Sequence, residues 1–425
     1  MMFQIGHDII KRKWLSLSVN LVTISMLSFM IDSALAITLD AGVLQTIETR
    51  SNLHHVPEDA VVGPREEIIS TSSVYLKFNE DTSDLKSNVD LNVSYIDFKK
   101  NESPDVIRNS LKADALWQIT RGHYSWFFMD NISQTRVDSL ISFSESNTQN
   151  VNEFVTGPKL EWDAGNSTIK LNVFLSTYDY SVTADDTTSI VSDFDWIRSV
   201  SAGIKMSLKY TAKVVSYDEV DTLSDYDQST LGLRFEYKKT VDELDVFFGK
   251  TILNNDAGEK YTSTSVNYKK QISRNSSISL SYSNNLSDKN DAIDSLGTSL
   301  IGVYIDKKYS IIYQKFNTSS GFNVKYEEER KEQEASTNEE QQRSATVSAY
   351  KSISSRSRMN ISYSDKYNSL LGFEDYTYIT SLAYQKKFNN KMSISFFVSE
   401  VLLESSDPLR QYTDQRIGLS LSISR

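Results

Sequence analysis

From Ile37 to the end, apolar and polar residues take turns along the chain with a period of two. In Asn88–Tyr95, Val89, Leu91, Val93 and Tyr95 fall on one side of an extended strand, and Asn88, Asp90, Asn92 and Ser94 on the other. Ile169, Leu171, Val173 and Leu175 repeat the pattern, as do Leu231, Leu233, Phe235 and Tyr237. Ile278, Leu280 and Tyr282 are set against serines, and Tyr376, Tyr378, Leu382 and Tyr384 continue the series. The last stretch, Gln415–Arg425, places Ile417, Leu419, Leu421 and Ile423 opposite Gly418, Ser420, Ser422 and Ser424. No stretch of the mature chain shows a convincing helical period of 3.6.

The connectors between these runs alternate in length. Short ones fall at Thr120–His123, Asp163–Asn166, Ser273–Asn275, Ser354–Ser357 and Lys387–Asn390. Longer polar ones fall at Ser51–Arg65, Val137–Gln149, Ser181–Phe194, Asn284–Ser295 and Glu400–Arg410. Short turns at one end and long loops at the other predict an all-β fold: a single-chain antiparallel transmembrane β-barrel. Segmenting the pattern yields about 21 strands, but chain ends on the same side of the membrane require an even number, so the expectation is about 20, with 16–22 admissible. The segmentation is ambiguous between Gly297 and Glu340, where Asp306–Lys308 and Asn317–Gly321 each read as a turn or a mid-strand irregularity. Trp117, Trp126, Trp162, Trp196 and Tyr384 lie near strand ends, where aromatic girdles meet the membrane interface.

Residues 1–36 read as a secretory signal peptide. Lys11, Arg12 and Lys13 precede an apolar stretch, Trp14–Ile31, and Ala34-Leu35-Ala36 supplies the small residues of a cleavage site. The barrel is therefore expected to occupy 37–425. Composition narrows the choice further. The 425 residues carry a net charge of −11, which argues against nucleic acid as a partner. There is no cysteine, which removes disulfides, thiolate metal sites and Cys nucleophiles. Tyr (23) and Phe (19) are abundant and Pro (5) is scarce, a bias toward strands.

Two stretches carry resemblances. Arg121–Gln134 (RGHYSWFFMDNISQ), followed by Thr148–Pro158 (TQNVNEFVTGP), resembles the outer-membrane β-barrel proteins associated with exosortase (PEP-CTERM) and exopolysaccharide gene clusters. The matching positions are Ser125-Trp126, Asp130, Ser133-Gln134, Gln149-Asn150, Asn152, Phe154 and Gly157-Pro158. The resemblance implies a Gram-negative outer-membrane barrel linked to export of surface polysaccharide or sorted proteins, and it brings no catalytic residue with it. The spacing of Arg416, Gly418, Leu421 and Ile423 resembles the C-terminal insertion signal read by the barrel-assembly machinery. It departs from that signal in ending on Arg425, with Ile423 two places in.

Trp126, Asp130, Gln134, Asn150 and Asn152 are the candidate site. They read first as a hydrogen-bonded cluster on the lumen side, fixing register beside a bend at Gly157-Pro158. The functional alternative is a sugar-contacting strip. His54-His55, with Glu58 and Asp59 following, is a poor metal site, because adjacent histidines in a loop seldom close a coordination shell. No metal, cofactor or catalytic constellation is expected. Tyr326–Arg343, the most charged segment, reads as a solvated loop continuing a strand; the alternatives are a loop bridged by divalent cations to lipopolysaccharide and a short helix plugging the lumen. The function expected is a passive pore or scaffold with a hydrophilic, net-acidic lumen, lodged in outer-membrane lipid and lipopolysaccharide. The competing class is a secreted soluble β-rich adhesin or carbohydrate-binding protein.

Overall fold

The computed structural model describes residues 37–55, 65–136, 148–182, 186–217, 225–254, 259–287, 303–332, 339–370 and 372–424. Residues 1–36, expected to be a signal peptide, lie outside them, as do Glu58 and Asp59. Among the described residues there are twenty strands. The first seven are β1 (Ile37–Arg50), β2 (Glu67–Asp81), β3 (Leu85–Phe98), β4 (Val106–Thr120), β5 (Tyr124–Arg136), β6 (Thr148–Ala164) and β7 (Ser167–Tyr180). Next come β8 (Thr187–Ser201), β9 (Ile204–Tyr217), β10 (Tyr226–Lys238), β11 (Asp242–Asn254), β12 (Lys260–Ser273) and β13 (Ser276–Ser287). The last seven are β14 (Tyr304–Phe316), β15 (Ser320–Glu332), β16 (Glu339–Ser354), β17 (Ser357–Leu370), β18 (Phe373–Lys387), β19 (Met392–Ser405) and β20 (Tyr412–Ser424).

Each strand pairs antiparallel with the next, and β1 pairs with β20 (Gly42 opposite Ser424, Arg50 opposite Arg416). The sheet therefore closes on itself and leaves no edge. Both described chain ends and the short turns, such as 82–84, 165–166 and 355–356, share one end of the barrel. The long connectors share the other. By the usual barrel topology these are the periplasmic and extracellular ends.

The register fixes which way every side chain points, because no shift interrupts the ladders except beside turns, at 118/120, 199/201, 271/273 and 352/354. Leu39, Val43 and Ile47 of β1, Leu231 and Leu233 of β10, and Ile417, Leu419 and Ile423 of β20 are all exposed, and all point outward. The opposite positions carry Ser, Thr, Asn and charges. An apolar exterior around a polar interior inverts the soluble arrangement, and a closed barrel is the β-architecture a bilayer admits. The chain is thus an outer-membrane-type β-barrel, and a secreted soluble protein is ruled out by this exterior.

Outward Trp117, Trp126, Trp162 and Trp196 form the periplasmic girdle, while Tyr95, Tyr309 and Tyr376 lie toward the opposite interface. Inside, aromatic rings cover glycines on neighbouring strands. Tyr75 lies over Gly42, Phe247 over Gly232, Tyr350 over Gly321 and Phe397 over Gly418. A ring laid on a bare backbone fills the space a side chain would take and screens its hydrogen bonds.

Twenty strands about 4.8 Å apart and tilted about 40° enclose a backbone cylinder roughly 40 Å across. Among the described residues every strand belongs to this wall. Asp306–Lys308 lies within β14, and Asn317–Ser319 is the turn between β14 and β15, which resolves the ambiguous region. The charged run Tyr326–Arg343 is mostly strand, continuing β15 to Glu332 and resuming as β16 at Glu339. The loops expected at Ser181–Phe194 and Glu400–Arg410 are shorter than their polar sequences imply, because β8 starts at Thr187 and β19 runs to Ser405.

Candidate functional site

The five residues singled out from sequence do come together, but on the opposite side of the wall. In β5, Trp126, Phe128, Asp130, Ile132 and Gln134 share a face, paired across β4 with Trp117, Ala115, Ala113 and Leu111. That face carries the exposed Trp117, so it is the outer one. Pro158, Thr156, Phe154, Asn152 and Asn150 of β6 are the outward partners. The lumen assignment of Trp126, Asp130, Gln134, Asn150 and Asn152 is therefore corrected to the exterior. The reason is parity: Phe127 and Met129 alternate with Trp126 and Phe128, so both faces of β5 are apolar and composition cannot choose between them. Gln134 Nε2 donates to Asn150 Oδ1 at 3.2 Å, and Trp126 Nε1 donates to Thr156 Oγ1 at 2.8 Å, which ties β5 to β6. At Gly157 a Cβ would collide with the Val173 backbone carbonyl, so β6 and β7 approach closely beside Pro158.

The lumen wall has a different chemistry. β13 presents Ser277, Ser279, Ser281 and Ser283 inward, and β20 presents Ser420, Ser422 and Ser424. Inward hydroxyls bridge neighbouring strands: Thr251 to Ser263 at 2.6 Å, Ser362 to Ser381 at 2.6 Å, Thr46 to Ser420 at 2.8 Å. The charged positions are interleaved. Lys205, Lys209 and Lys213 climb β9, facing Asp195 on β8 and Glu236 on β10. Arg234 grips Asp245 with two parallel hydrogen bonds, 2.8 and 2.5 Å. Lys159 sits over the rings of Phe127 and Phe174, 4.2 and 5.3 Å from their centroids.

Across all twenty strands, inward acidic and basic side chains occur in nearly equal number. The expected net-acidic lumen is thus corrected. The acid surplus lies in outer-facing positions and in the long connectors, such as 218–224, which holds Asp218, Glu219 and Asp221.

At the extracellular mouth, next to the β1–β20 seam, is a cluster the sequence did not announce. Asp414 of β20, fully buried, accepts from Arg50 Nε (3.3 Å) and a terminal Arg50 nitrogen (3.1 Å), from Arg416 Nε (2.8 Å) and from the Asn52 backbone N–H (3.3 Å). His55 Nε2 lies 3.6 Å from the same carboxylate, and its ring stacks on Tyr412 with centroids 4.3 Å apart. Burial lowers the His55 pKa below the ordinary imidazole value, and Arg50 and Arg416 add to the effect. The Asp414 contact opposes it without reversing it. His55 also occupies a left-handed backbone conformation (φ 53°), which the contacts around it must hold. Of the two adjacent histidines, His55 is the one that joins this cluster.

Loop 51–55 folds over the inner wall beside this cluster. Leu53, Ile69, Ile96 and Phe98 pack together there with Val106, each of the first four less than a tenth exposed. A cavity of about 890 Å³ opens between that apolar patch and the Arg50–Arg416 edge. Glu67 fixes the neighbouring loop by accepting from the backbone N–H groups of Lys100 (2.7 Å) and Glu102 (3.1 Å). Among the described residues no group of three His, Asp or Glu side chains is placed to hold a metal ion.

No protein-family model matches the chain, and no curated protein matches it. Among solved structures it is similar to OccK2 (OpdF) of Pseudomonas aeruginosa at 8% identity, covering 91% of this chain and 98% of that one, with a TM-score of 0.42. It is also similar to the FrpB iron transporter of Neisseria meningitidis at 9% identity, covering 91% and 83%, with a TM-score of 0.46. The outer membrane protein opdK of Pseudomonas aeruginosa matches at 9% identity over 91% and 99%, with a TM-score of 0.43.

Proposed function

We propose that this outer-membrane barrel is a passive, non-catalytic pore whose lumen passes hydrated, polyhydroxylated material with little regard for charge sign. The observation that carries the proposal is the wall itself: ladders of Ser and Thr hydroxyls interrupted by acidic and basic side chains in balance. Hydroxyls exchange readily with sugar hydroxyls and water, and balanced charges cancel at a distance, so no single ion species is favoured. A barrel of this strand number has room for an aqueous channel.

The likeness of Arg121–Gln134 and Thr148–Pro158 to exosortase- and exopolysaccharide-associated barrels supports surface polysaccharide, or sorted proteins on the same route, as the cargo. On this reading the partners are lipopolysaccharide around the girdle, the barrel-assembly machinery acting on Arg416, Gly418, Leu421 and Ile423, and a periplasmic export apparatus at the short-turn end. In the barrel Leu421 and Ile423 point outward and Arg416 and Gly418 inward.

The test is reconstitution of the mature barrel into a planar bilayer. Stepwise current with a reversal potential near zero under a salt gradient, and partial blockade by added neutral dextran, is the expected result. A heat-modifiable, correctly folded barrel that passes no current would overturn the pore and leave a scaffold.

A further inference from the structure

The cavity at the extracellular mouth has two unlike sides. One is apolar, built by Ile69 of β2, Ile96 and Phe98 of β3, Val106 of β4 and Leu53 from the loop above. These are inward positions. The other side, at the β1–β20 seam, carries Arg50 and Arg416, with Glu48 acting on Arg50.

Arg416 is the informative member. It gives only its Nε to Asp414, and its two terminal nitrogens have no partner among the described residues. Its side chain is 30% exposed. Arg50, by contrast, spends its Nε and a terminal nitrogen on the same carboxylate. Asp414, itself fully buried behind them, holds both guanidiniums in place without covering the outer fork of Arg416. Of the nearby acids, Glu102 is taken by Arg65. A planar donor fork, fixed from behind and set across a cavity from an aliphatic and aromatic patch, matches an anionic group attached to an apolar body. The volume, about 890 Å³, suits a small organic molecule.

We propose that this cavity binds amphipathic organic anions: an aryl or alkyl body on the side of Ile69, Ile96 and Phe98, and an anionic head on Arg416. Binding here does not require the barrel to conduct, so this site and the pore stand or fall separately.

The test uses the full mature barrel in non-ionic detergent, with phenylbutyrate as the probe and phenylbutanol and butyrate as its neutral and body-less counterparts. Saturation-transfer NMR or calorimetry reads binding directly. Phenylbutyrate is expected to bind about tenfold more tightly than either counterpart, a gap that one charge-assisted hydrogen-bonded pair supplies. Arg416→Gln is expected to bring the acid down to the alcohol, and Arg416→Lys to restore part of the gap. Thr71→Phe, which fills the cavity from β2 without touching the arginines, is expected to abolish binding of both. Equal affinity for acid and alcohol in the unaltered barrel, or no saturable binding, overturns the proposal. So does an acid preference untouched by Arg416→Gln, or binding that survives Thr71→Phe. Heat-modifiable gel mobility checks the fold of each variant, and Thr71→Phe decides if Arg416→Gln fails to assemble.

Discussion

Asp414 on the last strand and Arg50 on the first meet through two hydrogen bonds of 3.3 and 3.1 Å, with the carboxylate fully buried. The ladder between these strands is the one that converts a sheet into a barrel, so the pair clasps the closure. Removing one member of a buried pair strands the other. Asp414→Asn is expected to cost about 3 kcal/mol, read as a fall in the temperature at which the compact gel band converts to the unfolded one. Arg50→Met combined with Asp414→Leu is expected to recover part of the loss.

The same clasp makes the loop above it sensitive to acid. His55 is buried, and its pKa is held below the ordinary value chiefly by desolvation. The groups facing it are Arg50, Arg416, Asp414 and Tyr412. A depressed pKa means that the folded loop resists taking a proton which the unfolded loop accepts near pH 6.5. The stabilisation is therefore complete above about pH 6.5 and drains away as pH falls through the lower folded value. Amide exchange at Asn52 and Leu53 is expected to speed up over that window. His55→Phe, which keeps the stack on Tyr412, is expected to flatten the dependence.

Two glycines that look alike in sequence are predicted to behave differently. A Cβ at Gly157 meets the backbone of Val173 and Phe174, which has nowhere to go, whereas one at Gly418 meets the far edge of the Phe397 ring. Gly157→Ala is expected to block assembly of the compact form. Gly418→Ala is expected to assemble with reduced thermal stability, and adding Phe397→Leu to restore it.

The membrane face has a direct test. Leu233 is 61% exposed, between Leu208 and Phe248, while Ser281 looks inward between Asn267 and Ser310. Leu233→Arg is expected to cost about 2–4 kcal/mol, the depth-dependent penalty for a cation in hydrocarbon, and Ser281→Arg close to nothing. Equal effects in a urea titration in lipid vesicles would remove the membrane assignment.

Charge balance in the lumen predicts a further result. Replacing Lys205, Lys209 and Lys213 of β9 together by Glu turns three inward cations beside Asp195 and Glu236 into anions, leaving Arg234 and Lys170 as the basic neighbours of those acids. The reversal potential under a salt gradient is expected to shift strongly toward cation selectivity, from a value expected near zero in the unaltered barrel.

Much of this architecture was legible from the chain alone. Period-two alternation in runs such as Asn88–Tyr95 placed strands, and the spacing of short and long connectors gave an antiparallel barrel of about 20 strands. Phase was harder. Asp130 and Gln134 read as inward because they are polar, yet in β5 the flanking residues are apolar on both sides, so only the pairing of β5 to Trp117 and Ala113 orients them. The ends of tall strands were obscured for a related reason. Glu327–Glu332 carries charge on both faces, which reads as loop, because above the lipid both faces meet water. The Asp414 clasp joins residues 364 positions apart, and nothing local in the sequence links them.

Strand height has a consequence for where this protein meets its surroundings. A strand such as β1, 14 residues long, rises roughly 35 Å along the barrel axis at about 3.3 Å per residue and a 40° tilt, against an apolar belt of about 25 Å. The surplus stands as a water-washed parapet, and on β14 to β16 it is faced outside with Lys307, Glu328, Arg330 and Arg343. The doorway is thereby lifted off the lipid plane. Arriving or departing molecules reach the Arg416 recess from the outside medium, and the bilayer surface itself offers them no lateral way in.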